Sequence, residues 1–324
     1  MHFLIFYMVA PIKESIIKMS EDLVERILKR EEKYNPLFGG EYYHVYNDNK
    51  TEIRAYALVT FTGGAYGTYT PPHDHGAIDY YKKIEISDNS VRKAEARDSY
   101  RGIIGIDRDL VKKARSSKRK NRYILLLELT VAHELDHNEF TLETMTPFYD
   151  LGKRISSAFK DIDSFTDIEL LERILRKYDV LLEKLYDGLI WEKFELSAFV
   201  TEIYVLLHHL IERNYSEKII AYGLRKDFLD VKYCYENGHC PKYKLVVYEL
   251  FGNFDPSHWL WSKLLKLMKN PNEFSKDKDS IEEMMNYLEE KRRTLYNICA
   301  RKVKSASSKL SEEFDRLKEE IFRK

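Results

Sequence analysis

Apolar positions along the chain fall into two rhythms. Ile16, Ile17, Met19, Leu23, Ile27 and Leu28 recur at helical spacing and predict an amphipathic helix within 12–33. Residues 41–70 are rich in Tyr, Thr and Val, with Gly63-Gly64 as a turn, and predict two or three strands. Pro71-Pro-His-Asp-His-Gly76 is expected to be a loop, because two prolines and a glycine deny it regular structure. Arg101-Gly-Ile-Ile-Gly-Ile-Asp107 reads as a short strand. An apolar helix follows at about 121–140. Ser164 and Thr166-x-x-Glu169 mark the start of another helix, the latter with capping-box spacing. A long apolar helix covers 189–213, and 231–270 is mixed, with a break near Gly252 to Pro256. From Ser280 the chain is helical and highly charged, and Ser280-x-x-Glu283 again has capping-box spacing. The expectation is an α+β, mainly α-helical protein. Residues 1–270 would form its main domain, and 271–324 a C-terminal helical extension or hairpin packed on it.

Composition narrows the class. A chain of 324 residues with 44% hydrophobic positions, 24 Tyr and 16 Phe can bury a substantial core. Its 53 basic and 53 acidic residues cancel, so no global field draws it to nucleic acid or to a membrane. Three cysteines argue against a secreted disulfide framework. The apolar run Phe3 to Ala10 is too short to span a bilayer and lacks the flanks of a signal peptide, so a buried strand is expected there. These features predict a cytoplasmic protein with no membrane partner. The basic run Lys112 to Arg122 has no interleaved aromatic residues, which removes the usual means of base recognition. A solvated loop is its default reading.

Chemistry concentrates in Leu129-Thr-Val-Ala-His133-Glu134-Leu-Asp136-His137-Asn-Glu-Phe140. Histidines at i and i+4 lie one above the other on a helix face, so both imidazoles can reach one metal ion. Glu134 falls beside that face, where a carboxylate can take a proton from a metal-activated water. His-Glu-x-x-His is for this reason the signature of zinc metallopeptidases. In a chain of this composition it arises by chance only about 0.03 times. Two histidines and a glutamate are costly to bury in an apolar helix unless something compensates them, and a metal would.

The pentapeptide, preceded by a strand at Ile103 to Ile106, resembles the zincin superfamily. The strand, basic segment and helix order is similar to the small intracellular branch that cleaves phage repressors and regulates radiation responses. The resemblance is specific over about 101–140 and looser over 160–213. It implies a zincin-like catalytic core with a small sheet, one Zn2+ per chain, and a strand on the cleft edge near Ile103 to Asp107 that holds an extended peptide substrate.

Catalytic zinc needs a third protein ligand. An extended His-x-x-Gly-x-x-His motif would place Phe140 and Glu143 in the matching positions, and Phe140 lacks the freedom of the turn glycine. The gluzincin pattern, Glu-x-x-Ala on a later helix, is matched by Glu195 and Ala198, with Glu192 and Glu202 as alternatives. Many gluzincins carry an Asp four residues after the ligand Glu. Phe199 stands there in this chain, which leaves Asp136, Glu202 or Asp150 to orient a histidine. His208, His209 or Tyr204 could stabilise an oxyanion. His73 and His75 could bind a second metal, and Cys234 with Cys240 and His239 could form a knuckle or a disulfide, although surface histidines and free thiols are the blander readings.

The function expected is a zinc metallopeptidase with His133, His137 and Glu195 on the metal and Glu134 as general base. Its rivals are a non-catalytic zinc-binding regulator or scaffold, and a zinc hydrolase of a non-peptide amide.

Overall fold

A computed structural model of the chain describes residues 14–29, 34–35, 42–47, 51–56, 67–70, 86–87, 90–91, 102–158, 165–185, 191–238 and 243–322. Phe3 to Ala10, Gly63-Gly64, the loop 71–76 with His73 and His75, and the pair His239-Cys240 lie outside them, as does the side chain of Cys234.

The described residues are mainly helical. The helices are α1 (Glu14–Lys29), α2 (Arg108–Ser116), α3 (Lys120–Ala158), α4 (Phe165–Leu185), α5 (Trp191–Glu212), α6 (Glu217–Glu236), α7 (Lys244–Glu249), α8 (Trp259–Lys269), α9 (Pro271–Phe274) and α10 (Lys278–Phe322). The strands are β1 (Tyr34–Asn35), β2 (Tyr42–Asn47), β3 (Thr51–Tyr56), β4 (Gly67–Thr70), β5 (Ile86–Ser87), β6 (Ser90–Val91) and β7 (Gly102–Asp107). Five of them form a mixed sheet in the order β1-β2-β3-β7-β4, and β5 pairs with β6 alone.

β7 lies inside this sheet. It runs parallel to β3, with Thr51 opposite Gly102 and Tyr56 opposite Asp107, and antiparallel to β4, with Gly67 opposite Ile106. Both rows of its backbone groups are therefore engaged, and the expectation that Ile103 to Asp107 forms a cleft edge is overturned. Among the described residues the outermost strand on that side is β4, which also rests against α3.

Asp107 ends β7 and caps α2. Its Oδ1 accepts from the backbone N–H of Asp109 at 2.6 Å and of Leu110 at 3.3 Å, satisfying two of the donors that a helix start leaves open. The basic run is consequently helical over much of its length and tied down. Arg115 donates to the Ile27 carbonyl at 2.5 Å, and the Arg122 guanidinium lies 4.8 Å from the centre of the Tyr222 ring.

α3 does not stop near residue 140. It continues for 39 residues, through Pro147, because Phe140, Met145, Phe148, Leu151 and Ile155 keep the helical period and all are buried. Its middle is buried on every side. Leu125, Leu129 and Ala132 join the main core with α4, α5 and α10, while Leu127, Val131 and Leu135 join a second cluster with α1, α2 and β7. A helix shared by two cores has no polar stripe to spare, which is why the apolar run surrounding His133 shows so little amphipathic bias.

α4 begins at Phe165, so Thr166 already lies within the helix rather than capping it. α10 is one uninterrupted helix of 45 residues, not a hairpin. Asp277, three residues before Ser280, is its capping side chain and accepts from the Ser280 N–H at 3.1 Å. Ile281, Met284, Leu288, Leu295, Cys299, Val303, Leu310 and Phe314 line its buried face and belong to the same core as α3 and α5. α5 is apolar and long enough to cross a bilayer, but 83% of its most apolar window is buried within the protein, as befits a core helix.

Candidate metal centre

His133 and His137 project from α3 toward α5, which lies against it. Their Nε2 atoms are 3.0 Å apart, and the rings meet edge to face at 81°. Glu195 faces them from α5. Its Oε2 is 3.5 Å from His133 Nε2 and its Oε1 is 3.7 Å from His137 Nε2. Ligands about 2.0–2.1 Å from a tetrahedral zinc stand about 3.4 Å from one another. The three measured separations bracket that value, so the donor set and its spacing fit zinc. Glu195 is 2% exposed, His137 is 3% exposed, and the His133 side chain is 13% exposed, which makes His133 the outermost of the three. The helix pairing explains the convergence: Ala198 is fully buried one turn beyond Glu195, and a residue of its size lets the two helices lie close.

The other glutamates sort themselves by geometry. Glu202 Oε1 lies 3.3 Å from His133 Nδ1, on the side of the ring away from Glu195, so it orients the imidazole rather than sharing the metal position. Phe199 packs edge-on against the His133 ring at 5.2 Å, with Tyr243 behind it at 5.5 Å. Of the three carboxylates that could orient a histidine, Glu202, seven residues after Glu195, is the one that faces the His133 ring. Glu143 is exposed, on a continuing helix about 9 Å of rise beyond His137, and cannot return to the same ion. Glu192 lies in the first turn of α5, half-buried and outside the ligand cluster, and Asp150 is exposed.

Electrostatics follow from this crowding. Burial alone disfavours a charged His133. The carboxylates of Glu202 and Glu195, with Glu134 nearby, outweigh it and hold the imidazole well above its ordinary value. Glu134 is 5% exposed and close enough to act on His133 electrostatically. Asp136 points elsewhere. It is fully buried, and its Oδ1 accepts from Arg292 Nε of α10 at 2.7 Å and from Thr201 Oγ1 of α5 at 2.8 Å. Burial pushes its carboxyl up, but the Arg292 charge and these hydrogen bonds prevail and hold it below the usual carboxylate range.

His209, Tyr204 and His208 do not join the centre. His209 Nε2 lies 2.7 Å from Glu128 Oε1, Tyr215 donates to Glu128 Oε2 at 2.9 Å, and Asn214 Nδ2 meets His209 Nδ1 at 3.1 Å. The Glu21 carboxylate is also near, within 4.8 Å of the Glu128 and His209 atoms. Glu128 and His209 are almost fully buried but satisfy one another, so the group is a closed polar network beside the centre. Tyr204 engages Glu289, and burial with that carboxylate pushes its hydroxyl up to about 12. His208 is half-buried, and burial followed by neighbouring His209 lowers its pKa. Glu128, Thr201 and Arg292 were not singled out by sequence reasoning. A signal existed for Glu128, a lone charge between Leu127 and Leu129; none existed for Arg292, one cation among many on a charged helix.

Neither a family model nor a curated protein nor a solved structure matches this chain.

Proposed function

We propose that the chain is a zinc-dependent metallopeptidase built on a zincin-like core, with its small sheet beside the metal helix. The observation that carries this reading is the convergence of three protein donors, His133, His137 and Glu195, with the buried Glu134 carboxylate adjacent. Three donors leave one position of a tetrahedral ion open, as hydrolytic sites require. Bound zinc supplies a Lewis acid for the scissile carbonyl and brings the pKa of a water toward 7.

The chain's own groups do the rest. Glu134 accepts the proton of the attacking water and returns it to the leaving amine. Glu202 holds the His133 ring in orientation through Nδ1, with Phe199 packed against the same ring. β4, the outermost strand on its side of the sheet among the described residues, lies against α3 and is the candidate to receive an extended peptide by strand addition, the role that β7 cannot fill. A cytoplasmic site of action agrees with the sparing use of cysteine.

The deep burial of Glu195 and His137 favours a second reading, a zinc site that serves a regulator or scaffold without turnover. Elemental analysis with peptide-cleavage assays on wild type, His133→Ala and Glu134→Gln separates the two. Peptidase chemistry predicts about one zinc per chain in wild type and Glu134→Gln, loss in His133→Ala, and cleavage in wild type alone. Zinc bound without cleavage of a diverse peptide library would leave the scaffold reading. No zinc after reconstitution would overturn both.

A further inference from the structure

We propose that Arg292 is a positioning residue of the metal centre, acting from α10 through Asp136 and Thr201 to hold the two ligand-bearing helices in register. This rests on the metal-binding reading above. Asp136 precedes His137 on α3, and Thr201 precedes Glu202 on α5. A single oxygen, Asp136 Oδ1, accepts from Thr201 at 2.8 Å and from Arg292 Nε at 2.7 Å. Arg292 also approaches Glu139, with Nη2 3.8 Å from Oε2. The node therefore joins α3, α5 and α10 at one point, one residue away from His137 on α3 and from Glu202, which faces His133, on α5.

Energetics make a purely stabilising role a poor explanation. The Arg292 side chain is 4% exposed and that of Asp136 is fully buried. Removing two charges from water offsets most of what their attraction returns, and apolar residues of the same volume stabilise a core equally well or better. What such a pair adds is geometric. Two short charge-assisted or hydroxyl hydrogen bonds to one oxygen define both the axial offset and the rotation of α3 against α5. Leucine-like packing tolerates small slips along a helix. A metal site does not, because its ligand distances must hold to about 0.2 Å. His133 and His137 on one helix and Glu195 on the other meet across the interface that this node pins.

The test compares zinc affinity with metal-free stability. Removing Arg292 alone strands a buried carboxylate and risks unfolding, so the informative variants are the apolar double replacement Asp136→Leu/Arg292→Met and the mild Thr201→Val. Zinc dissociation constants are measured by competition with a chromophoric chelator, and thermal unfolding is followed on the metal-free proteins. Positioning predicts that the double variant, its metal-free midpoint near that of wild type, binds zinc about 10- to 100-fold more weakly. Thr201→Val would show a smaller loss in the same direction. An unchanged dissociation constant in a folded variant would reduce the node to a structural contact and overturn the proposal. If the double variant does not fold, Thr201→Val decides alone by the same criterion. Wild type that takes up no zinc would overturn the metal reading, and this assignment with it.

Discussion

His133 faces a carboxylate at each ring nitrogen, with Glu195 on one and Glu202 on the other. Its raised pKa has a direct consequence for pH. In the metal-free protein the imidazolium is stabilised by its carboxylates, so this contribution is complete below the unfolded value of about 6.5 and is lost as pH rises through the folded value. Zinc requires the neutral ring and gains as the proton leaves. The zinc-induced rise in melting temperature should therefore keep growing with pH above about 7.5, where an unshifted histidine would give a nearly flat response; melts of metal-free and zinc-loaded protein on both sides of that pH check it. Glu202→Gln should weaken zinc binding about 10-fold while leaving the three ligands in place, read by chelator competition. Glu134→Gln should keep the metal and lower turnover about 10²- to 10⁴-fold.

How much of this was legible in the residues differs from one to the next. The spacing of His133, Glu134 and His137 carries its own geometry, because the helix period alone aligns them. Glu195 was reachable through the small Ala198 three positions on. Glu202 could be named only as one of several candidates, since its role depends on the rotation of α5 against α3, a tertiary quantity. Arg292 was out of reach: 156 residues separate it from Asp136, and no local pattern distinguishes it from its charged neighbours.

Among the elements, α3 carries both the site and the strongest packing constraint. The sequence marks it only over about 121–140; burial of Phe148, Tyr149, Leu151 and Ile155 against other elements holds the helix together beyond that span and through Pro147. Gly152 tests that packing. In an exposed helix Gly→Ala stabilises by about 1 kcal/mol. Here an added Cβ would stand 2.6 Å from the Tyr178 hydroxyl, and Tyr178 is 1% exposed and stacked on Phe148 at 4.5 Å, so it cannot withdraw. Gly152→Ala should therefore destabilise by about 1–3 kcal/mol in denaturant titration. The sheet is a similar case. The strand Gly102–Asp107 was evident from its apolar run, but its interior place depends on β4 pairing across a long separation, which alternation of residues does not encode.

At the scale of the molecule, the charged surface of α10 invites description as an appendage, yet its inner face is part of the common core. Burying side chains such as Leu288, Leu295, Val303 and Phe314 stabilises by about 1.5–3 kcal/mol each. Without α10 the apolar surfaces of α3, α4 and α5 that it covers would lie open to water. A chain ended at residue 277 should thus lose cooperative thermal unfolding as well as zinc binding. Retention of a sharp transition would show that 1–277 folds independently.

α5 also bears on how the protein reaches its destination during synthesis. By length and mean hydropathy alone this segment is apolar enough to cross a bilayer. Glu195, Glu202 and His209 interrupt it at intervals of seven residues, and Glu202 falls near its middle, where a charged side chain costs about 2.5–3.5 kcal/mol on insertion scales. The carboxylates that gather at the candidate metal centre therefore double as gatekeepers. They tilt a segment of borderline hydrophobicity away from lipid, so replacing Glu195 and Glu202 with leucine would remove that bias together with the carboxylates that face His133.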